Sequence, residues 1–322
     1  MSALLVVRPS SLGDVVHALS IVPDVVRARP GTTIDWVCEP AFADLPAMSP
    51  NVRNVIPFAL RRWRHALLER VTWREAAAFR TAVRETRYDA ILDLQEQIKG
   101  GVVARIARGV RHGFDRSSIR EPVATFFDDV HHRVPRDEHF ATRCRTLAAA
   151  ALGYAIEGPP RWDLAPRRDA NLPAGRYAVA MHATSRESKL WPEASWRALL
   201  DDLARAGIAT VLPWGDEVER ERSARLAKGI EGAIVPQRQP LHALAALLAG
   251  ADVAVGVDTG LTHLAAALRT PTIALFTQTD PRGAGVAITG PHARDLGGRG
   301  VVPSIEDVRG TLGELVRAVP RC

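Results

Sequence analysis

The sequence predicts an α/β protein of two Rossmann-like domains, each a parallel sheet covered by helices, facing a cleft. Three observations carry this expectation. Short, continuously apolar runs alternate with helix-period segments nearly throughout, as βα units with strands buried on both faces do. The alternation breaks once, over residues 155–175, where Gly158-Pro159-Pro160, Pro166, Arg167-Arg168 and Pro173-Ala174-Gly175 read as a linker, and then restarts. The length, 322 residues, exceeds one ordinary domain. The expected division is 1–165, 166–304, and a last segment 305–322 whose helix, Ile305–Val319, packs across the domain boundary.

In the first half, Leu4–Val7 reads as a strand and Asp14–Arg29 as one helix, with Val15, Leu19, Val22 and Val26 on a shared face. Thr33–Val37 and Asn54–Phe58 follow as strands, Arg74–Arg87 as an amphipathic helix and Ala90–Leu94 as a buried strand. Lys99–Arg108 reads as a helix that Gly109 can end. In the second half the strands are Tyr177–His182, Ile208–Leu212, Ala233–Val235, Val253–Val257 and Thr272–Phe276. The helices between them are Pro192–Ala206, Glu217–Lys228, Leu241–Ala249 and Thr259–Leu268. Pro192 suits a first helical turn, Trp196, Leu199, Leu200 and Leu203 form one face, and Gly207 stops the helix.

Composition narrows the class. With 47% hydrophobic and 24% charged residues the chain is an ordinary globular protein. The longest apolar candidate, Leu241–Val257, is interrupted by His242 and Asp252 and reads as a helix and a strand, not a membrane span. No basic residue precedes the short run Leu4–Val7, so no signal peptide is expected and the protein should stay in the cytosol unless its surface binds a membrane. Cys38, Cys144 and Cys322 have no metal-ligand or CxxC spacing, so neither metal nor disulfide is expected.

The net charge is +6 with a pI near 9.8. Between Asn51 and Arg87 stand nine arginines (53, 61, 62, 64, 70, 74, 80, 84 and 87) against Glu69, Glu75 and Glu85, so this one segment carries an excess equal to that of the whole chain. Such a surface suits anionic partners: phosphorylated sugars, an acidic membrane or nucleic acid. Nucleic acid is the weakest of these, because no aromatic stacking platform or known module accompanies the arginines. A merely solvated helix face is the plain alternative.

Four strand-to-helix loops can carry chemistry, because ligands of such sheets bind outside the carboxyl ends of the strands. Arg8-Pro9-Ser10-Ser11-Leu12-Gly13-Asp14 has neither a dinucleotide glycine pattern nor a P-loop. It offers two hydroxyls, a glycine for close backbone approach, and a carboxylate that either caps a helix or accepts a proton from a sugar hydroxyl. His182–Pro192 brings Thr184, Ser185 and Lys189 ahead of a helix N-terminus, an anion-binding combination or a capped polar loop. In Val257–His263, Asp258 or Thr259 is placed as N-cap, and the amides of Thr259, Gly260 and Leu261 can face a diphosphate. His263, one turn in, is either a site residue or a packed one. Leu212–Glu219 places acids at a helix start, where they complement the dipole or accept ribose hydroxyls.

Taken in this order the loops resemble those of the bacterial lipopolysaccharide heptosyltransferases of glycosyltransferase family 9. The similarity runs through Val7–Asp14 with His17, Asp35-Trp36-Val37, Arg61-Arg62-Trp63-Arg64, Tyr88-Asp89-Ala90, Arg120-Glu121-Pro122 and Leu152-Gly153-Tyr154. It continues through His182–Pro192, Leu212–Gly215, Val257–His263 and Thr279-Asp280-Pro281. The Arg-Arg-Trp-Arg run and the His-Ala-Thr…Lys-x-Trp-Pro loop are similar to those of the type I branch, which adds the first heptose to Kdo of lipid A.

The resemblance implies a GT-B fold, an inverting transfer of heptose from ADP-heptose to Kdo2-lipid A, no cofactor or metal, and a peripheral position on the cytoplasmic face of the inner membrane. It implies Asp14 as catalytic base, and Ser10, Ser11, Gly13, Arg61, Arg62, Arg64 and Arg120 on the acceptor. Thr184, Ser185, Lys189, Thr259, Gly260 and Leu261 would hold the diphosphate, Glu219 the ribose, and Asp258 and His263 the heptose or phosphates. Ser185 stands where threonine is frequent, and Gln95-Glu96 where Gln-Gly is common, ahead of Lys99. Transfer of the second heptose (the type II reaction) and a non-catalytic nucleotide-sugar or nucleic-acid binder remain as alternatives.

Overall fold

The computed structural model describes residues 2–167 and 172–318. Arg168 of the expected linker, Val319 and Cys322 lie outside them. The chain divides into two compact units, Met1–Ala165 and Pro166–Cys322.

The first unit holds six parallel strands: β1 (Ala3–Val7), β2 (Thr33–Cys38), β3 (Val52–Pro57), β4 (Ala90–Asp93), β5 (Arg111–Phe114) and β6 (Val130–His132). Their spatial order is β3-β2-β1-β4-β5-β6. The second unit repeats the plan with β7 (Tyr177–Met181), β8 (Ala209–Val211), β9 (Ala233–Ile234), β10 (Val253–Val257), β11 (Thr272–Phe276) and β12 (Ala293–Gly297), ordered β12-β11-β10-β7-β8-β9. Each is the doubly wound Rossmann order, in which the chain reverses direction across the sheet beside its first strand. The β1/β4 and β7/β10 pairs flank those reversal points, so the loops leaving these four strands open onto the two natural ligand crevices.

Apolar burial explains both sheets. In the first, Leu5, Val7, Ile91 and Val37 face Trp63, Phe79, Val83 and Val103, and Phe58 packs on Phe79 and Trp63 at ring distances of 4.9 and 5.4 Å. On the second sheet Trp191 meets Trp196 edge to face at 5.2 Å, and Val308 and Leu315 of the last helix, Ile305–Ala318, join the same core. Gly256 in β10 is required by packing: a Cβ there would lie 2.1 Å from Thr262 Oγ1.

Several elements depart from the sequence expectation. The helix expected over Asp14–Arg29 is two, Leu12–Ala18 and Ile21–Ala28. Pro23 has no N–H to give Leu19, and the Ser20 hydroxyl takes the His17 carbonyl at 2.7 Å, so a continuous helix cannot form. The helix expected to end at Gly109 closes at Ile106. Gly109 is small for another reason, since a Cβ would sit 2.4 Å from the Tyr88 carbonyl. Unread in the sequence were β5, the edge strands β6 and β12, and the helix Phe140–Leu152. That helix packs against Leu12–Ala18, Ile21–Ala28 and β4, and Arg145 pairs with Asp24 at 2.6 Å in the process.

Candidate active site

In the first unit the loops after β1, β2 and β4 meet at the sheet reversal. Asp14 stands in the first turn of Leu12–Ala18, where its Oδ2 accepts the Ser11 amide at 3.0 Å and the Ser11 hydroxyl at 2.8 Å. The cap and the candidate base are therefore one carboxylate. The same oxygen meets Arg8 Nη2 at 2.8 Å. Arg8 is buried, donates to the Leu94 carbonyl, and lies over the Phe140 ring at 4.7 Å. Burial opposes the charge on Asp14, but Arg8 and the Ser11 donors outweigh it and hold the carboxyl below its usual range.

Lys99, half-buried in the first turn of the helix Ile98–Ile106 that follows β4, donates to Ser10 Oγ at 2.7 Å. Burial first, then the charges of Arg8 and Arg61, lower its pKa, while Glu39 and Asp14 oppose that. Glu39 leaves β2, gives its amide to the Pro9 carbonyl at 3.0 Å and accepts the Arg61 amide at 3.2 Å. Burial raises its pKa against the pull of Arg61, Lys99 and Arg64. Ser10, Ser11, Gly13, Asp14, Arg61 and Arg64 thus belong to one neighbourhood, lined with cations around two carboxylates.

Arg62 is turned away from that group: it pairs with Glu75 at 2.6 Å, and Trp63 Nε1 adds 2.9 Å to the same carboxylate. Arg120 is exposed on the loop after β5. Its neighbour Glu121 binds the Glu96 carbonyl and the Ile98 amide, which places Arg120 beside the β4 loop and the start of the helix that carries Lys99. Glu96 adopts a left-handed φ of 59° where glycine would be easiest, and its side chain pairs with buried Arg143 at 2.5 Å. The acid in place of the common glycine therefore serves an internal pair.

In the second unit Asp258 is the hub. It does not cap the helix Gly260–Ala267, whose N-cap is Thr259. Its Oδ2 accepts Lys189 Nζ and Thr279 Oγ1, each at 2.6 Å, and its Oδ1 lies 3.4 Å from His263 Nε2. Thr184 Oγ1 donates to its backbone carbonyl at 3.1 Å, and Thr277 joins the β11 loop to Ser188 at 3.0 Å. Burial opposes the Asp258 charge, and the bonds from His263, Lys189 and Thr279 overcome it, so this carboxyl stays ionised far below the usual range. Beside it the amides of Thr259, Gly260 and Leu261 donate to no group among the described residues. A cation, hydroxyls and unpaired helix amides on three adjoining loops are an arrangement of donors suited to an anion.

Ser185 is exposed on the β7 loop. Glu219 lies apart in the first turn of the helix Glu217–Ala227 after β8, where Oε2 accepts the Gly215 amide at 2.6 Å, and no hydrogen bond joins it to the Asp258 group among the described residues. The sequence motifs contain Arg8 and Thr279 but give neither a role, and Glu39 stands in none of them. All three stand within a few residues of a strand's carboxyl end, the one positional signal that marks them.

Two doubly wound units, each a six-stranded parallel sheet with flanking helices, are the architecture of the GT-B glycosyltransferases. A model of glycosyltransferase family 9 (heptosyltransferase) matches residues 76–293, and the chain belongs to that family and is an enzyme of it. Lipopolysaccharide heptosyltransferase 1 of Escherichia coli (strain K12) is 43% identical over 282 residues, 86% of this chain and 88% of that one. Among solved structures, E. coli heptosyltransferase WaaC with ADP matches with a TM-score of 0.90 at 38% identity, covering 98% of this chain and 100% of that chain. The same enzyme with ADP-2-deoxy-2-fluoro heptose gives 0.86 at 39% identity, covering 98% and 99%.

Proposed function

We propose that this heptosyltransferase moves L-glycero-D-manno-heptose from ADP-heptose to a Kdo hydroxyl of Kdo2-lipid A in lipopolysaccharide inner-core synthesis. The observation that carries the reading is similarity along nearly the whole chain to a heptosyltransferase solved with an ADP-heptose analogue. The reaction is a single displacement with inversion at the anomeric carbon. Asp14 takes the proton of the attacking hydroxyl as positive charge develops on the sugar. Ser10, Ser11 and Gly13 shape the acceptor loop, and Arg61, Arg64 and Arg120 meet acceptor carboxylates and phosphates, with Arg62 available once it leaves Glu75.

On the donor, Lys189, Thr184, Ser185 and the amides of Thr259, Gly260 and Leu261 hold the diphosphate and stabilise the charge that gathers on departing ADP. Asp258 orients Lys189 and, with His263, borders the heptose or phosphates. Glu219 accepts ribose hydroxyls. These cationic and amide donors take the place a divalent ion has in other nucleotide-sugar enzymes, so turnover is expected to survive chelation by EDTA. A lipid-linked acceptor also implies peripheral contact with the cytoplasmic face of the inner membrane; among the described residues no helix is long and apolar enough to cross one.

The test is ADP release from ADP-heptose with Kdo2-lipid A, with an already heptosylated core, and with no acceptor. Release and heptose incorporation on Kdo2-lipid A alone are expected. Preference for the heptosylated core would move the protein to the second transfer, and acceptor-independent release would remove the assignment.

A further inference from the structure

The helix Arg70–Glu85 turns Thr72, Phe79 and Val83 inward and leaves its outer face without a covering element among the described residues. That face carries Arg70, Arg74, Arg80 and Arg84 at helical spacing, with exposed Ala77 and Thr81 between them. Arg80 and Arg84, with Trp73, Ala76, Ala77, Thr81 and Glu85, line a shallow open groove, and Arg70 and Arg74 stand exposed on the same helix. At its N-terminal end, the Glu69 amide closes a turn on the Ala66 carbonyl at 3.1 Å, and the two corner residues of that turn are leucines. Leu68 is fully exposed, Leu67 is 56% exposed, and Val71 and Trp73 beside them are 43% and 64% exposed. Turn corners ordinarily carry Gly, Asn, Asp or Ser. Trp73 Nε1 donates to the Leu67 carbonyl at 2.8 Å, which fixes the indole against the turn.

We infer that this surface docks the enzyme on an anionic lipid bilayer, the arginine stripe lying on the headgroups and Leu67, Leu68, Val71 and Trp73 entering the headgroup–acyl boundary. A row of cations with an apolar, tryptophan-bearing tip has the two components that interfacial binding needs. A second copy of the chain is a poor occupant, because two such cationic faces repel. Nucleic acid would match the arginines and leave the leucine corner unexplained. The inference rests on the reading of a lipid-linked acceptor, and it says which face of the first unit meets the membrane.

The experiment uses the intact protein without substrates, cosedimented with phosphatidylcholine vesicles with and without phosphatidylglycerol. Binding is expected only where phosphatidylglycerol is present, and it should weaken with salt. Leu67→Ser/Leu68→Ser and Arg74→Glu/Arg80→Glu should each lower it, by about fivefold or more per arginine removed. Trp73 is the one largely exposed tryptophan among the described residues, so vesicles should blue-shift the emission, and Trp73→Phe should abolish the shift. All variants should turn over a detergent-dispersed acceptor normally, which separates loss of docking from an error in the acceptor assignment. Equal binding to both vesicle types, full binding by the leucine variant, or duplex DNA that displaces the vesicles would each overturn the inference.

Discussion

The guanidinium of Arg8 sits 2.8 Å from the Asp14 carboxylate, inside the sheet edge and against Phe140. Asp14→Asn keeps the shape and the Ser11 contact, so the helix start survives while the base is lost. Turnover should fall by roughly 10²–10⁴ with ADP affinity nearly unchanged. Because buried Arg8 loses its counter-charge, stability should also drop by roughly 1–3 kcal/mol, so activity has to be measured well below the melting temperature. Unchanged turnover would rule Asp14 out. Arg8→Gln removes the charge that holds the Asp14 pKa down, so the acid limb of the pH–kcat/KM profile should move to higher pH. A profile that stays in place would mean Arg8 serves only the fold.

Loops, not isolated residues, are the unit at the next scale. Lys189, Asp258 and Thr279 come from the loops after β7, β10 and β11, and one carboxylate ties them together. Lys189→Met should raise the ADP-heptose KM and cost roughly 1–3 kcal/mol, since it leaves a mostly buried carboxylate with fewer donors. Calorimetric titration with ADP and denaturant melts would show both effects, and normal donor affinity would detach Lys189 from the diphosphate. On the β4 loop two effects oppose each other. Glu96→Gly relieves a left-handed backbone worth about 1 kcal/mol, but it strands Arg143, and breaking a buried pair costs about 3–5 kcal/mol. The ion pair wins this comparison, reduced by the bond Arg143 keeps to the Ser118 carbonyl at 2.8 Å. Glu96→Gly should therefore destabilise, and a more stable variant would show that the pair is not the compensation it resembles.

At the scale of the whole molecule, one buried group in each unit responds to acid in the opposite sense to the other. Asp128, buried with both carboxylate oxygens unpartnered among the described residues, is pushed up to about 7 by burial, with Arg111 opposing that shift. Its ordinary value is near 3.9, so the folded first unit binds the extra proton, and stability is present below about pH 4 and lost as pH rises through 7. His182, fully buried on Ser223 at 2.7 Å, is lowered to about 4 mainly by burial. Its ordinary value is near 6.5, so the second unit keeps its stability above that pH and loses it as pH falls towards 4, by at most about 3 kcal/mol. Calorimetry at pH 5 and pH 8 should show two transitions whose separation changes with pH, and Asp128→Asn should flatten the first. Transitions that shift together would contradict this account.

The periodicity of the chain was enough to predict two Rossmann-like halves, because a strand buried on both faces has to be apolar along its length. Strand β5 and the edge strands β6 and β12 escaped because none of them has a continuous apolar run, and Pro23 was overlooked inside an otherwise periodic run. The residue types of the chemistry were legible too: a carboxylate after β1, a lysine and hydroxyls after β7, and an Asp-Thr-Gly start after β10. Their partners were not. Ser10 meets Lys99 across 89 positions, and Lys189 meets Asp258 across 69. Those pairings exist only because each sheet reverses order beside its first strand, so that loops distant in sequence leave neighbouring strands. Local sequence determined which groups stand at the carboxyl ends of the strands; the tertiary fold decided which of them meet, and therefore which carboxylate is held by an arginine and which by a lysine.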